Sequence, residues 1–158
     1  MGIARTVAPV HDGDSPVEEV RALYLASIAA ACRYVYIENQ YFTTPEVGDA
    51  LVARMRAVPE LEVLVVTPRR PGGWLEEKTM GAGQAGIMAR FAGEGLEDRV
   101  RFCFPFVREE DQETDVMVHA KVMVVDDRLL RVGSSNLNQR SMGLDSECDL
   151  VIEASGDD

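Results

Sequence analysis

The stretch from His119 to Asn136 reads HAKVMVVDDRLLRVGSSN, and the fold of the chain can be predicted outward from it. Two apolar runs separated by Asp126-Asp127-Arg128 indicate a hairpin of two strands. Because side chains alternate along a strand, His119 and Lys121 are predicted to project from the same face. An imidazole beside an ammonium group is suited to binding an anion such as a phosphate.

The residues around the second strand of this hairpin are typical of turns. Asp126 falls where the first apolar run breaks and has the opposite parity to His119, which predicts a turn or bracing residue and not a direct ligand. Gly133 is expected to let the backbone turn tightly. The side chains of Ser134–Asn136 can cap a following short helix, or they can bind an anion at its N-terminus, where backbone N–H groups point outward.

The spacing of these residues resembles that of a known protein family. The HKD signature of the phospholipase D superfamily is similar to the pattern His119-x-Lys121-x4-Asp126-x6-Gly133-Ser134-x-Asn136. Flanking segments resemble the lipid-cleaving branch of that family, and the resemblance runs from about Pro16 to Glu153. These segments are YIENQYF at 36–42, NQRSM at 138–142 and DSE at 145–147.

The resemblance implies a role for each matching side chain. His119 is expected to act as the nucleophile or as the general acid. Lys121 and Asn136 are expected to hold the non-bridging oxygens of a phosphate, assisted by Ser134. Glu147 matches the family carboxylate that bonds the imidazole and keeps its reactive nitrogen presented, and such a pair is a general way to fix a histidine. The chemistry implies no cofactor.

The chain carries a single copy of the motif, whereas the reaction needs two histidines. In-line displacement at a phosphodiester requires a nucleophile on one side of phosphorus and a general acid on the other. In the phospholipase D family two copies of the motif face each other. The resemblance therefore implies that this chain supplies half of a site. The other HKD half is expected from the same full-length chain or from a second copy by homodimerisation.

Length and element order predict one domain, 1–158, of the α/β class. The order βαβαβ, then the motif hairpin and a last strand, indicates a layered mixed sheet flanked by helices. Family members usually continue beyond Glu153, so we expect the chain to be excised from a longer two-motif protein. Residues 1–14 lack a periodic pattern and are predicted to be a flexible lead-in.

The remaining helices and strands follow from periodicity, capping and turn residues. A capping box at Ser15–Glu18 predicts the start of the first helix. The predicted elements are a helix from this box to about Cys32, a strand at 33–37, a helix from Thr44, a strand at 62–67, a helix at 74–91, a strand at 100–104, an acidic loop at 108–115 and a strand at 148–152.

Three functions are compatible with the pattern. The first is hydrolysis of a phospholipid head-group ester, or its exchange onto another alcohol, through a phosphohistidine. The second is a homodimeric single-motif phosphodiesterase or nuclease, and the third is a non-catalytic interaction module that retains the fold. The formal net charge of −11 argues against nucleic acid, whose binding depends on neutralisation of phosphates by Lys and Arg.

Composition also predicts the compartment. Cys32, Cys103 and Cys148 form an odd set with no paired spacing and are predicted to be buried free thiols of a reducing compartment. The two histidines are far apart, so no metal site is predicted. No apolar run is long enough to span a membrane, and no signal peptide is recognisable. The expected location is cytoplasmic, with a peripheral position at the membrane as the alternative.

Two polar segments outside the motif are candidates for contact with substrate. Glu38, Asn39 and Gln40 follow an apolar strand, where binding sites of open α/β sheets gather, so they either line the pocket or anchor the loop. Arg69 and Arg70 form the most basic local spot of the chain, and their loop is predicted to be solvated.

Overall fold

The computed structural model describes residues 1–69, 74–110 and 112–154, except for the side chains of 74–80. Arg70, a candidate for contact with substrate, lies in the segment 70–73, which is outside the described residues. The elements in chain order are β1 (Gly2–Val7), β2 (Val17–Glu18), α1 (Glu19–Ala30), β3 (Tyr34–Asn39), α2 (Pro45–Ala57), β4 (Glu62–Val66), α3 (Trp74–Gly93), β5 (Val100–Cys103), β6 (Phe106–Glu109), β7 (Gln112–Asp115), β8 (Lys121–Val125), β9 (Leu129–Gly133), α4 (Gln139–Gly143) and β10 (Glu147–Glu153).

Within these residues, eight strands form one mixed sheet in the order β2-β1-β10-β9-β8-β3-β4-β5. β3, β4 and β5 are parallel and are connected by α2 and α3, as βαβ crossovers require. The other pairs are antiparallel, and β8 and β9 form the hairpin of the motif. The predicted α/β class and layered mixed sheet are confirmed.

Alternate residues of the strands face the helices and form the core. Val35 and Ile37 of β3 are buried, and so are Val63 and Val65 of β4, as the two-residue period of a strand requires. They belong to one apolar cluster that also contains residues of each helix. The helical members include Tyr24 and Ile28 of α1, Leu51 and Met55 of α2, Ile87 and Phe91 of α3, and Met142 of α4.

The opposite face of the sheet is half open. Leu64, Leu130 and Ile152 occupy the alternate strand positions and remain 38%, 37% and 40% exposed. Leu130 and Ile152 are direct cross-strand neighbours, so this apolar surface is continuous across β9 and β10. Helical cover and core therefore lie on one side of the sheet.

The N-terminal residues correct one prediction. Gly2–Val7 forms β1, which pairs with β10 on one side and with β2 on the other, so the prediction of a flexible lead-in is wrong for these residues. The physical reason is distance along the chain: Gly2 pairs with Val151. Local periodicity cannot reveal such a partner.

The first helix also begins later than its capping box predicts. Val17 and Glu18 form the short strand β2, and α1 starts at Glu19 without a side-chain cap hydrogen bond. Glu19 is instead tied to β1, because its carboxylate accepts hydrogen bonds from the backbone N–H and the guanidinium of Arg5. The pairing of β2 with β1 therefore overrides the local capping signal.

The acidic segment and the cysteines give two further corrections. The predicted loop at 108–115 contains parts of β6 and β7, which pair as a separate antiparallel hairpin; Asp111 between them is outside the described residues. Cys32, Cys103 and Cys148 are all exposed, so the prediction of buried thiols is wrong. Cys103 and Cys148 share the half-open face with Leu64 and Leu150, where no core covers them.

Candidate active site

The residues of the motif other than Asp126 lie at one end of the sheet. β8 is antiparallel to both β3 and β9, and β9 is antiparallel to β10. The first residues of β8 and β10 therefore lie beside the last residues of β3 and β9. Lys121 pairs with Asn39, and Gly133 pairs with Asp149, two residues after Glu147.

His119 precedes β8 and is exposed, whereas Lys121 is the first residue of the strand and only 8% exposed. The assigned strand begins only at Lys121, two residues after His119, so a shared strand face for the two side chains stays a prediction. A local contact joins the two residues: the Lys121 ammonium donates a hydrogen bond to the His119 carbonyl oxygen at 2.9 Å. Burial lowers the pKa of Lys121, and the charge of the nearby Glu147 opposes that shift.

Ser134 and Glu147 complete a polar group with Lys121, called here the Lys121–Glu147–Ser134 cluster. The Ser134 hydroxyl donates to the Glu147 carboxylate and accepts from the backbone N–H of Cys148 at 3.0 Å. Across the described residues, no hydrogen bond joins Glu147 to the His119 imidazole. The carboxylate–imidazole pair implied by the family resemblance therefore stays a prediction.

Asn136 follows Ser134 by two residues in the chain, and its side chain has unused hydrogen-bonding capacity. Its backbone N–H donates to the Ser141 hydroxyl at 3.1 Å. Its side-chain Oδ1 is buried, with no hydrogen-bond partner in the part of the chain that the structure describes. The cap of α4 is Asn138, whose side chain accepts from the Ser141 N–H at 2.9 Å. Of the two roles considered for Ser134–Asn136, helix capping thus belongs to another residue.

Asp126 lies at the far end of β8, about 16 Å from Lys121 at the usual rise per residue of a strand. Its carboxylate accepts from the backbone N–H groups of Cys32, Arg33 and Tyr34 at 2.5, 2.7 and 2.8 Å. Burial alone would raise its pKa, but these three bonds outweigh burial and lower it. Asp126 thus fixes the entry to β3 against the hairpin turn.

Gly133 is required for a reason other than the expected tight turn. Its φ is not positive; the glycines with positive φ in the described residues are Gly13 and Gly95. A Cβ on Gly133 would lie 1.9 Å from Oδ1 and 2.6 Å from Cα of Asp149. The missing side chain therefore leaves the space that the Asp149 carboxylate occupies.

A buried ion pair supports the motif loop, and sequence reasoning did not single it out. Arg131 and Asp149 are both fully buried, and the Arg131 Nε donates to Asp149 Oδ2 at 2.8 Å. Both also bond Ser135, and the Arg131 guanidinium lies 3.9 Å from the centroid of the Tyr24 ring. A signal existed in the sequence, because each charged residue occupies an inward-facing position of an otherwise apolar strand.

Of the three polar residues at 38–40, Asn39 anchors the loop. It is fully buried; its Oδ1 accepts from the N–H groups of Tyr41 and Leu137, and its Nδ2 donates to the Ser135 carbonyl. Glu38 lies on the opposite side of β3 and accepts from the Tyr36 hydroxyl at 2.8 Å, and Gln40 donates to the Tyr41 hydroxyl. For Glu38 and Gln40, pocket lining stays a prediction.

Two kinds of feature are absent from the described ranges 1–69, 74–110 and 112–154, a metal-binding cluster and a membrane-spanning helix. There, no three His, Cys, Asp or Glu side chains are grouped so that they could hold a metal ion. In the same ranges, no helix combines the length and the apolar content needed to cross a bilayer.

Comparison with known proteins identifies the family. A family described as "Cardiolipin synthase, PLD-like domain" matches residues 24–157. Phospholipase D zeta 1 of Arabidopsis thaliana is 31% identical over 192 residues, with 96% of this chain and 18% of that protein covered. Phospholipase D1 of Schizosaccharomyces pombe is 29% identical, with 88% of this chain and 13% of that protein covered. The chain belongs to the phospholipase D superfamily.

Solved structures show the same fold. The phospholipase D family member Nuc of Salmonella typhimurium superposes with a TM-score of 0.66 at 22% identity, covering 96% of this chain and 81% of that one. The phosphatidylserine synthase of Haemophilus influenzae superposes with a TM-score of 0.65 at 17% identity, covering 96% of this chain and 34% of that one. The chain thus spans less than a fifth of the two plant and yeast relatives named above and most of the length of Nuc.

Proposed function

We propose that this chain supplies one half-site of a phospholipase D-type phosphodiesterase, which hydrolyses a phospholipid head-group ester or transfers the phosphatidyl group to another alcohol. The observation that carries the proposal is the Lys121–Glu147–Ser134 cluster, which lies at one end of the sheet directly beside the exposed His119. A largely buried cation and a hydroxyl group at the same end of the sheet as an imidazole and an amide suit a phosphodiester.

The proposed reaction consists of two in-line displacements. In the first, an imidazole nitrogen attacks phosphorus, the bond to the head-group oxygen breaks, and a second histidine donates a proton to the departing alcohol. In the second, water or another alcohol attacks the phosphorus of the phosphohistidine, the bond between phosphorus and the imidazole nitrogen breaks, and the attacking hydroxyl gives its proton to that second histidine. His119 is one of the two histidines, as nucleophile or as acid, and the other HKD half supplies the second.

The remaining site residues act on charge and orientation. The Lys121 ammonium lies in a largely buried position, where its attraction for the phosphate oxygens is screened less than at the surface. The Asn136 amide, with a buried oxygen that has no partner among the described residues, can turn either end to the phosphate. Glu147 is proposed to exchange its Ser134 partner for the His119 imidazole when substrate is bound.

Two observations favour a lipid over a polynucleotide. The curated relatives at 31% and 29% identity are phospholipases D. The net charge of −11 and the acidic β6–β7 hairpin, which precedes the motif by a few residues, oppose the approach of a polyanion.

A second candidate is a homodimeric single-motif phosphodiesterase or nuclease, in which two copies of this chain form one site. It is favoured by the similar size and fold of Nuc, of which 81% is covered. The two candidates differ in oligomeric state: the homodimer gains activity as copies associate, whereas an isolated half of a two-motif protein does not.

The test combines binding and turnover on the chain as it is. Inorganic phosphate is titrated while backbone amides are followed by ¹⁵N NMR, and the amides of Lys121, Ser134 and Asn136 are expected to shift together. Lys121→Met is expected to abolish these shifts, because it removes the cation. Turnover of phosphatidylcholine and of bis-p-nitrophenyl phosphate is measured on a sample whose size is determined in solution, and a monomer is expected to show negligible turnover.

The matched control is Arg69→Ala. Arg69 is already paired with Glu113 at 2.9 Å and Asp115 at 3.0 Å, and its guanidinium lies 4.2 Å from the centroid of the Phe104 ring. It should therefore contribute little to phosphate binding. Shifts centred on Arg69 instead of Lys121 would refute the site. Robust turnover by a demonstrated monomer would refute the half-site, and turnover that rises with dimer concentration would favour the homodimer.

A further inference from the structure

The buried pair of Arg131 and Asp149 does more than join β9 to β10. Both side chains are fully inaccessible to solvent. The guanidinium bonds Asp149 Oδ2 through Nε and Nη2 and stacks on the Tyr24 ring. A buried ion pair is a weak source of stability, because desolvation of two charges offsets much of their attraction. Its presence in this apolar core therefore calls for a role other than stabilisation.

The pair converges on one residue of the motif loop, Ser135. Asp149 accepts from the Ser135 backbone N–H through Oδ1 at 3.2 Å and from its hydroxyl through Oδ2 at 2.6 Å. Arg131 Nη2 contacts the Ser135 hydroxyl and donates to its carbonyl oxygen at 3.4 Å. Asn39 donates to the same carbonyl at 3.3 Å. The N–H, the C=O and the hydroxyl of Ser135 are thus all held from the core side.

The neighbours of Ser135 are Ser134 and Asn136, two of the three residues proposed to bind phosphate. Ser135 is fully buried, whereas Ser134 is exposed and Asn136 is partly exposed. Because Ser135 is held inward, the backbone positions from which the side chains of Ser134 and Asn136 project are fixed. Neither the apolar pattern nor the HKD spacing includes Arg131 or Asp149.

We infer that Arg131 and Asp149 are positioning residues, which hold Ser135 so that Ser134 and Asn136 are pre-arranged for a phosphate group. The inference rests on the proposed function, because it takes the phosphate as the ligand of that loop. Neither residue touches the substrate. Prearranged donors bind an anion more tightly than mobile ones, since their ordering is not required at the moment of binding.

The experiment replaces the pair as a unit. Arg131→Met combined with Asp149→Leu removes both charges and leaves no buried ion without a partner, so the double variant is expected to be destabilised less than either single variant, although the N–H and hydroxyl of Ser135 lose their bonds to Asp149. Phosphate is titrated by ¹⁵N NMR as before, and backbone order parameters are measured for 134–136. The dissociation constant should rise by about tenfold or more, and order parameters should fall from about 0.85 to below about 0.6.

Two further variants separate positioning from general destabilisation. Ile37→Val makes a small cavity in the same core without touching the loop and should leave the phosphate dissociation constant unchanged. Ser135→Ala keeps the ion pair but deletes the hydroxyl that both members hold, and should weaken binding by roughly threefold. If the double variant does not fold, Ser135→Ala decides the question, and unchanged binding by it overturns the inference.

The outcomes distinguish this inference from the proposed function. If the wild-type chain binds phosphate, and the folded double variant has the same dissociation constant and the same order parameters at 134–136, the positioning role is overturned. The phosphate site itself then remains supported. Failure of the wild-type chain to bind phosphate at Ser134 and Asn136 overturns the assignment of the site and this inference with it.

Discussion

Replacement of Asp126 by alanine is expected to destabilise the fold strongly, although the residue is far from the candidate site. The Asp126 carboxylate accepts three backbone N–H groups, from Cys32, Arg33 and Tyr34. At about 1 kcal/mol for each hydrogen bond, their loss amounts to about 3 kcal/mol. Asp126 also has a φ of 53°, where alanine is less favourable than aspartate by about 1 kcal/mol. The expected loss is about 4 kcal/mol in the free energy of unfolding.

The assay is urea unfolding followed by circular dichroism, with Asp127→Ala as the matched control. Asp127 is the next residue, has a φ of 57°, and its side chain is 73% exposed. Its carboxylate contacts the Tyr34 hydroxyl and the Arg33 guanidinium at the surface. The control shares the backbone penalty but not the buried bonds, so its expected loss is about 1.5 kcal/mol.

The dependence on pH gives an independent check. Because the pKa of Asp126 is lowered in the folded state from its ordinary 3.8, its ionised form stabilises the protein above that pH. The contribution is lost as the pH falls through the folded-state pKa. The stability difference between wild type and Asp126→Asn should therefore be constant near neutral pH and should narrow in acid. A loss for Asp126→Ala no larger than that of Asp127→Ala, or a difference that widens in acid, would refute the bracing role.

Two further predictions concern the site itself. Gly133→Ala places a Cβ against the Asp149 carboxylate and should lower the free energy of unfolding by about 2 kcal/mol or more, as measured by thermal denaturation. Gly86→Ala in α3 is the control: its Cβ meets nothing within 4 Å, so a comparable loss there would contradict the steric reason. Glu147→Gln should lower the pKa of Lys121 further, because the Glu147 charge now raises it; NMR titration of the lysine side chain measures this, and an upward shift would contradict the assignment.

The parts of the fold that sequence predicts well have local signals. The strand predicted at 62–67 is observed as Glu62–Val66, and the helix predicted at 74–91 as Trp74–Gly93. Apolar runs and turn residues suffice for such elements. β1 has no long apolar run, and its pairing partner lies at the other end of the chain. Every residue of β6 and of β7 is exposed, so these strands lack the half-buried alternation by which strands are recognised.

The candidate site likewise contains residues that the sequence predicts and residues that only the structure reveals. The family resemblance points to Lys121, Ser134 and Glu147, and the structure places these residues beside one another. The side chains that hold these residues in place belong to neighbouring strands, and a single sequence does not show which strands pair. Arg131 and Asp149 each look like an isolated charge in an apolar strand until the register of β9 and β10 makes them partners. The need for glycine at position 133 is also invisible in the sequence. The space beside Gly133 is occupied by the carboxylate of Asp149, which lies on another strand.

The pairing of β1 with β10 has a consequence for synthesis on the ribosome. Among the strands of this sheet, β1 is synthesised before the others and β10 after them, and β10 is the strand that joins β1 to the main sheet, because Gly2 pairs with Val151. Until then β1 and β9 each present an unpaired edge, which can associate with other chains. Glu147 and Asp149 belong to the same late strand. A nascent chain stalled before β10 would therefore have two open strand edges and an incomplete candidate site.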